Sequence, residues 1–225
     1  MIGVRESLGR LAAKVGYRRA RGLFDRDYLR SLGFDVHTVI DVGVNHGTRP
    51  LYDAFEDCSF VLVDPQRNAE TLLRDRPARY VFVNKGLAAV PGRVTLREQD
   101  AGKTTFLERT ALTASPTVAR YEVETITLDA LFDTTDLEPP IGIKIDTEGY
   151  ELEILKGLTR HWDLVRFVIC EASVRRRFVN SYQMSELISY MLERDFMFFN
   201  FLNEVDQRPR YYDVLFVPRT SHLFD

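Results

Sequence analysis

The chain reads as an α/β fold built on a mostly parallel sheet, and three observations predict it. Short β-branched runs recur, among them Val39-Ile40-Asp41-Val42, Phe60-Val61-Leu62-Val63 and Ile143-Lys144-Ile145, with the composition of strands buried on both faces. Segments of helical spacing lie between the runs, as right-handed crossovers between parallel strands require. Four of the runs end in a carboxylate, at Asp41, Asp64, Asp146 and Glu171. Ligands of such sheets bind beyond these carboxyl ends, so the four acids form an acidic rim where chemistry is expected.

Taken in order, residues 3–31 have helical spacing, with Leu8, Leu11, Ala12 and Val15 followed by Leu23, Phe24, Tyr28 and Leu29. The segment is rich in arginine, and its plainest reading is a lead-in helix with a solvated basic face. A contact with a membrane or an anionic substrate is a second reading. A mitochondrial presequence is a third, although no apolar h-region or cleavage signal accompanies it. Ser31 to Asp35, with Gly33, reads as the hinge between a lead-in at 1–34 and a main domain at 35–225.

The main domain begins with strand, tight turn and helix over Thr38 to Leu51. Gly43 and Gly47 suit the turn because glycine tolerates positive φ and lets a ligand approach the backbone. A dinucleotide fingerprint requires G-x-G-x-x-G, but Asn45 and Thr48 fill its second and third glycine positions. What remains is D-x-G-x-N-x-G. A pyrophosphate wants amide donors and no carboxylate, whereas Asp41 favours a ligand bearing an ammonium and a sulfonium. S-adenosylmethionine has that charge pattern. Asp64 ends the next strand, where an acid accepts hydrogen bonds from ribose hydroxyls. Its competing role is a helix N-cap ahead of Pro65.

Asn68 to Arg74 reads as a short helix, Tyr80 to Asn84 as a strand, and Arg93 to Glu98 as a half-exposed strand. Residues 101–115, rich in Thr, Gly and Ser, read as a loop, and long loops are often functional. Val123 to Leu128 is a strand leading to a short helix near Leu131, Ile141 to Asp146 a strand, and Tyr150 to Leu158 an amphipathic helix. Glu151 and Glu153 stand in its first turn, where they favour the helix dipole. Val165 to Cys170 is a strand ending at Glu171, Met184 to Arg194 a helix, and Phe196–Phe201 and Tyr211–Val217 late strands.

The block Lys144-Ile145-Asp146-Thr147-Glu148-Gly149 carries the second cluster. Alternation puts Lys144 and Asp146 on one side of their strand. A lysine in an apolar strand calls for a paired acid, so its structural role is to neutralise neighbouring carboxylates. Asp146 or Glu148 is placed to take a proton from a substrate hydroxyl. With Glu171, either acid is also a candidate oxygen ligand for a divalent cation, and one of the two could equally cap the helix. His37, His161 and His222 read as bystanders, and His46, inside the first turn, either touches a ligand or faces solvent.

With 225 residues, the chain suffices for one domain burying roughly 70% of its unfolded surface. Its net charge of -3 gives no global sign of a nucleic-acid partner. No apolar run approaches the ~20 residues of a membrane span. Cys58 and Cys170 lack metal-ligand spacing, and a reducing cytoplasm is the simplest home for them.

These motifs bring the sequence close to a known family. VIDVGVNHG (39–47), FVLVDP (60–65), VNKGLAAVPGRVTL (83–96), VETITLDAL (123–131) and IGIKIDTEGYELEILKGL (141–158) resemble the FkbM family of S-adenosylmethionine-dependent methyltransferases. FVICEAS (167–173) and DVLFV (213–217) extend the resemblance. It implies a class I, Rossmann-like methyltransferase fold: a seven-stranded, mostly parallel sheet with helices on both faces and a last strand inserted antiparallel. It also implies methyl transfer to a hydroxyl oxygen of a small-molecule acceptor, a sugar or a natural-product scaffold.

By position, the resemblance assigns Asp41, Gly43, Asn45 and Gly47 to the cofactor turn, Asp64 to the ribose, and Asp146 and Glu148 to the substrate side. The family more often has Ala at position 44 and Glu at 64, where this chain has Val and Asp. Some metal-dependent O-methyltransferases of this fold ligate magnesium from the positions of Asp146 and Glu171. They carry a further acid or amide where this chain has Ala172. A non-catalytic Rossmann-like binding module and an NAD-dependent oxidoreductase stand as the alternative functions. The acceptor's identity, the metal requirement and the oligomeric state are not encoded in any motif.

Overall fold

The structure is a computed structural model, and it describes residues 22–99, 103–204 and 207–225. Most of the basic lead-in, residues 1–21, lies outside the described residues, as do 100–102 within the polar segment. The strands and helices are β1 (Thr38–Val42), β2 (Ser59–Val63), β3 (Tyr80–Val83), β4 (Gly86–Leu87), β5 (Gly92–Gln99), β6 (Thr104–Thr105), β7 (Thr117–Ile126), β8 (Ile141–Ile145), β9 (Val165–Ser173), β10 (Phe196–Phe201) and β11 (Tyr211–Pro218), with α1 (Arg26–Ser31), α2 (Arg49–Ala54), α3 (Ala69–Leu72), α4 (Leu128–Thr134), α5 (Glu151–Lys156) and α6 (Met184–Leu192) between them.

The main sheet has seven strands in the order β10-β11-β9-β8-β1-β2-β3. Its pairs are parallel from β9 through β8 and β1 to β3. The last strand, β11, slots antiparallel between β9 and β10, as the family resemblance implies. The chain order reverses between β1 and β8, so the turns that follow these two strands sit side by side at the switch point.

Two apolar layers cover the sheet. On one face Ile40, Val42, Ile143 and Ile145 pack with Leu128 and Leu131 of α4, Ile154 and Leu155 of α5, and Leu187 and Met191 of α6. On the other, Val39, Phe60 and Leu62 pack with Leu51 and Tyr52 of α2 and Leu29 of α1. Alternation along β1 therefore places Asp41 on the Val39 side, under α2. It lies directly across from Lys144 in the parallel register.

A second sheet, in the order β4-β7-β5-β6, stands over the carboxyl ends of the first. Here the sequence reading is corrected. β7 starts at Thr117 inside a stretch of charged residues, because alternate side chains such as Arg120, Glu122 and Glu124 face solvent. It stops at Ile126, and Leu128 belongs to α4, whose N-cap Thr127 accepts a hydrogen bond from the Ala130 amide. Part of the supposed loop at 101–115 forms β6 and a short 3-10 turn at Ala111–Thr113.

Candidate active site

A cleft of about 210 Å³ opens where the tips of β1, β2, β8 and β9 meet the second sheet. Asn45, Asp64 and Gln66 form one wall, and Asp146, Glu148 and Glu171 the facing one. Thr104, Thr105 and Phe106 close it from the second sheet.

The first wall is built by backbone. Gly43 has φ +78°, and its amide bonds the Val63 carbonyl at 2.9 Å. A Cβ at this position would lie 1.9 Å from the Asp146 carbonyl oxygen. Gly43 is therefore required by the close approach of the two switch-point turns, rather than by room for a ligand. Gly47, at φ +106°, fits equally tightly against the backbone of Asp75. His46 accepts hydrogen bonds from the Arg74 and Asp75 amides on its carbonyl, so it ties the turn to that segment and does not line the cleft.

Asp64 is buried, and each of its oxygens accepts a backbone N–H: Oδ2 from Asn45 at 3.0 Å and Oδ1 from Gln66 at 2.9 Å. Asn84 secures the same loop by donating to the carbonyls of Asp64 and Gln66. Burial holds the Asp64 carboxyl above its ordinary pKa against the pull of these two amides. The alternative of a helix cap does not hold, since Asn68 occupies the N-cap of α3. Asn45 itself adopts φ +49°, and its Oδ1 is buried without a hydrogen-bond partner. An orphaned buried acceptor on a cleft wall calls for a donor from a ligand or water.

Asp41 does not reach the cleft. Its side chain is fully buried, with Oδ2 accepting from the Tyr52 hydroxyl at 2.8 Å and Oδ1 lying 3.3 Å from Lys144 Nζ. The expectation that this carboxylate faces a cationic ligand is thus corrected, and its charge is answered from within the fold. Lys144 also approaches Asp146 Oδ2 at 3.4 Å. Burial opposes the charge on Lys144, but Asp41, Asp146 and Asp213 outweigh it and raise the pKa further. Lys144 accordingly neutralises its neighbours, the structural role expected of a lysine in an apolar strand.

The second wall is built by side chains. Glu148 has φ +55° and is followed by Gly149 at φ +97°, where a Cβ would strike the Phe178 ring. This turn hangs on Glu151, which is wholly buried and accepts from the Thr147 amide at 2.9 Å, the Gly149 amide at 3.1 Å and the Tyr182 hydroxyl at 2.8 Å. Neither Asp146 nor Glu148 caps the helix, whose N-cap is Tyr150 without a side-chain cap bond, and Glu151 instead ties down the turn ahead of it.

Three cations clamp Glu148: Arg177 at 2.7 Å and Arg109 at 3.2 Å on Oε2, and Lys103 at 3.1 Å on Oε1. Burial opposes its charge, yet Arg177, Lys103 and Arg109 prevail and hold its pKa below the ordinary value. Arg177 also donates twice to Glu171 Oε2, at 2.8 Å each. Burial and the nearby Asp146 charge nevertheless push Glu171 well above the usual carboxylate range. The shared guanidinium therefore sits between one acid whose pKa is lowered and one whose pKa is raised.

Asp146 is the carboxylate left accessible, with its side chain 37% exposed and Lys144 its ion-pair partner. Behind it Asp213 of β11, in register with Glu171, is pushed by burial and by Asp146 up to about 6. Among the described residues no three His, Cys, Asp or Glu side chains converge as a metal site. The sequence reading missed Lys103, Arg109, Arg177, Tyr182 and Asp213. Of these, only the Arg175-Arg176-Arg177 run just beyond Glu171 was a visible signal.

Comparison with known proteins now adds to the geometry. The model of the methyltransferase FkbM domain matches residues 41–198. The hexuronic acid methyltransferase AglP of Haloferax volcanii is 43% identical over 49 residues, which are 22% of this chain and 20% of that protein. The chain thus matches only a fifth of that relative's length. Among solved structures, TrmK of M. capricolum with S-adenosyl-homocysteine aligns over 87% of this chain and 67% of its own, at 9% identity and TM-score 0.47. Magnesium protoporphyrin IX methyltransferase (ChlM) of Synechocystis PCC 6803 with bound SAM aligns over 96% and 81%, at 11% identity and TM-score 0.45. The strand order, with its single reversed strand next to the edge strand, is that of a class I methyltransferase. The family model covers most of that sheet and both walls of the cleft, and the chain belongs to the FkbM methyltransferase family.

Proposed function

We propose that this protein transfers a methyl group from S-adenosylmethionine to a hydroxyl oxygen of a sugar or natural-product acceptor. The observation that carries the reading is a single cleft with two unlike walls. One offers the unpartnered Asn45 Oδ1 and the amide-held Asp64, and the other an accessible Asp146. Asn45 and Asp64 fit the donor's nucleoside, whose hydroxyls and amines supply the donors that these acceptors lack. When bound, S-adenosylmethionine would supply an electrophilic methyl on its sulfonium, with the neutral thioether S-adenosylhomocysteine as a good leaving group. The protein's task is therefore mainly alignment and removal of the acceptor's hydroxyl proton.

Asp146 takes that proton. Glu148 is committed to Arg177, Arg109 and Lys103 and is a weaker base for it. Glu171, bound by Arg177, lines the same wall. The hexuronic acid methyltransferase among the relatives supports a sugar acceptor.

Incubation with heavy-methyl S-adenosylmethionine and a panel of sugars and extract metabolites, followed by mass spectrometry, tests the reading. A mass-shifted product is expected, with turnover reduced by about 100-fold or more in Asp146→Asn. Donor binding without any methylated product would favour a binding module instead. Wild-type turnover in both Asp146→Asn and Glu148→Gln would remove the assignment of the base.

A further inference from the structure

Beyond Glu171, β9 runs out into Val174 and then Arg175, Arg176 and Arg177. The Val174 and Arg175 amides both bond the Arg210 carbonyl, at 3.0 and 3.2 Å. This doubled contact brings together two backbone segments that carry three exposed arginines, Arg175, Arg176 and Arg210, on one lip of the molecule. The lip is continuous with the second wall of the cleft. Arg177, next in the chain, is buried on Glu171 and lies 4.5 Å over the ring of Tyr211, a residue of the cleft. Lys103, with its side chain 59% exposed, borders the same cleft.

Some exposed arginines elsewhere are matched, Arg30 by Glu56, Arg160 by Asp133 and Arg219 by Asp195, and others, such as Arg74, Arg93 and Arg166, are not matched among the described residues. What sets Arg175, Arg176 and Arg210 apart is their place next in the chain to Arg177, which holds Glu171, and to Tyr211 of the cleft. Arg175, Arg176 and Arg210 have no acidic partner among the described residues. In a chain of net charge -3, three cations beside a substrate opening, without an acidic partner among the described residues, are a local concentration of positive charge. Such a concentration draws anions toward an opening and holds them there. The Asn45–Asp64 wall is already assigned to the donor, so the ligand of this lip is the other substrate.

We propose that this lip, with Lys103, binds an anionic group carried by the methyl acceptor: a carboxylate, as on a uronic acid, or a phosphate ester. The inference rests on the methyltransferase reading above and extends it from a hydroxyl-bearing acceptor to an acidic one. Guanidinium groups suit either oxyanion because they offer paired N–H donors.

Binding of glucose, glucuronate and glucose 6-phosphate to the full-length protein saturated with S-adenosylhomocysteine tests the proposal. The comparison includes the triple variant Arg175→Ser/Arg176→Ser/Arg210→Ser and, as a control at the opposite end of β9, Arg166→Ser. At least one of the two acidic sugars is expected to bind about tenfold more tightly than glucose. Whichever is preferred identifies carboxylate or phosphate as the source. The preference should vanish in the triple variant, shrink as salt rises and persist in Arg166→Ser, with melting temperatures matched.

Equal affinity for glucose and both acidic sugars in the wild-type protein would overturn the proposal, as would a preference untouched by the triple substitution. Tighter binding of a short single-stranded RNA than of every sugar, lost in the same variant, would also overturn it by assigning the lip to a nucleic acid. Affinity for S-adenosylhomocysteine, measured first and alone, reports on the donor site. Its absence would strike the methyltransferase reading and not the lip.

Discussion

The two walls of the cleft each present strand-tip acids, but they hold them by different means. Asp64 is fixed by backbone amides from its own βα unit and the preceding turn, Gln66 two residues away and Asn45 nineteen. Glu148 is fixed by side-chain cations, Arg177 at a separation of 29 residues and Lys103 at 45. Amides carry no net charge, so burial prevails and the Asp64 carboxyl rises. Three cations outweigh burial, and Glu148 falls. An amide-held acid keeps lone pairs for neutral hydroxyls. A cation-clamped acid is a structural anchor that loses strength as a base, and that work passes to Asp146.

The largest effect is expected where the walls meet. Gly43→Ala would place a Cβ onto the Asp146 carbonyl at positive φ, and the sum of backbone strain and overlap is about 4 kcal/mol or more. Chemical denaturation should find the variant unfolded or nearly so, and a loss under half that size would show that the two turns move independently. Next comes Arg177→Met, which leaves the buried Glu171 without its cation and Glu148 with Arg109 and Lys103 alone. A loss of about 3–5 kcal/mol is expected by the same measurement, far more than any single amide on the Asp64 side is worth.

Asp213 gives a pH signature specific to the second wall. Its folded value of about 6 lies above the ordinary 3.8, so its carboxyl favours folding most below that lower value. The contribution is lost as pH rises through the folded value. Asp213→Asn cannot ionise, so its stability relative to wild type should climb by about 1–3 kcal/mol between roughly pH 4 and pH 7. A flat difference across that range would mean that Asp213 is solvated and does not feel Asp146.

The same contrast explains what the sequence revealed. Strands buried on both faces announce themselves by β-branched runs, and β10 was legible to the residue at Phe196–Phe201. Asp41, Asp64, Asp146 and Glu171 were visible because each follows directly on such a run, although β1 continues past Asp41 to Val42 and β9 past Glu171 to Ser173. Asp64's partners lie within one βα unit and were nearly legible too. Glu148's partners were not, because Lys103 and Arg109 sit in a polar segment without periodicity. The pairing of β5 with β6, the Thr105 hydroxyl on the Glu148 carbonyl and the bridge from Arg109 to Phe178 are among the contacts that bring that segment over the cleft. Asp41 misled for a related reason: alternation places it under α2, but only the fold reveals Tyr52 and Lys144 waiting there.

The central claim is that the Asn45–Asp64 wall holds the methyl donor while the Glu148 wall serves the acceptor. Calorimetric titration of S-adenosylhomocysteine into wild type, Asp64→Asn and Glu148→Gln tests it most directly. Binding to wild type is predicted, weakened by about tenfold or more in Asp64→Asn and by less than about threefold in Glu148→Gln. Equal loss in both variants, or loss in Glu148→Gln alone, would contradict the division of the cleft into a donor and an acceptor wall.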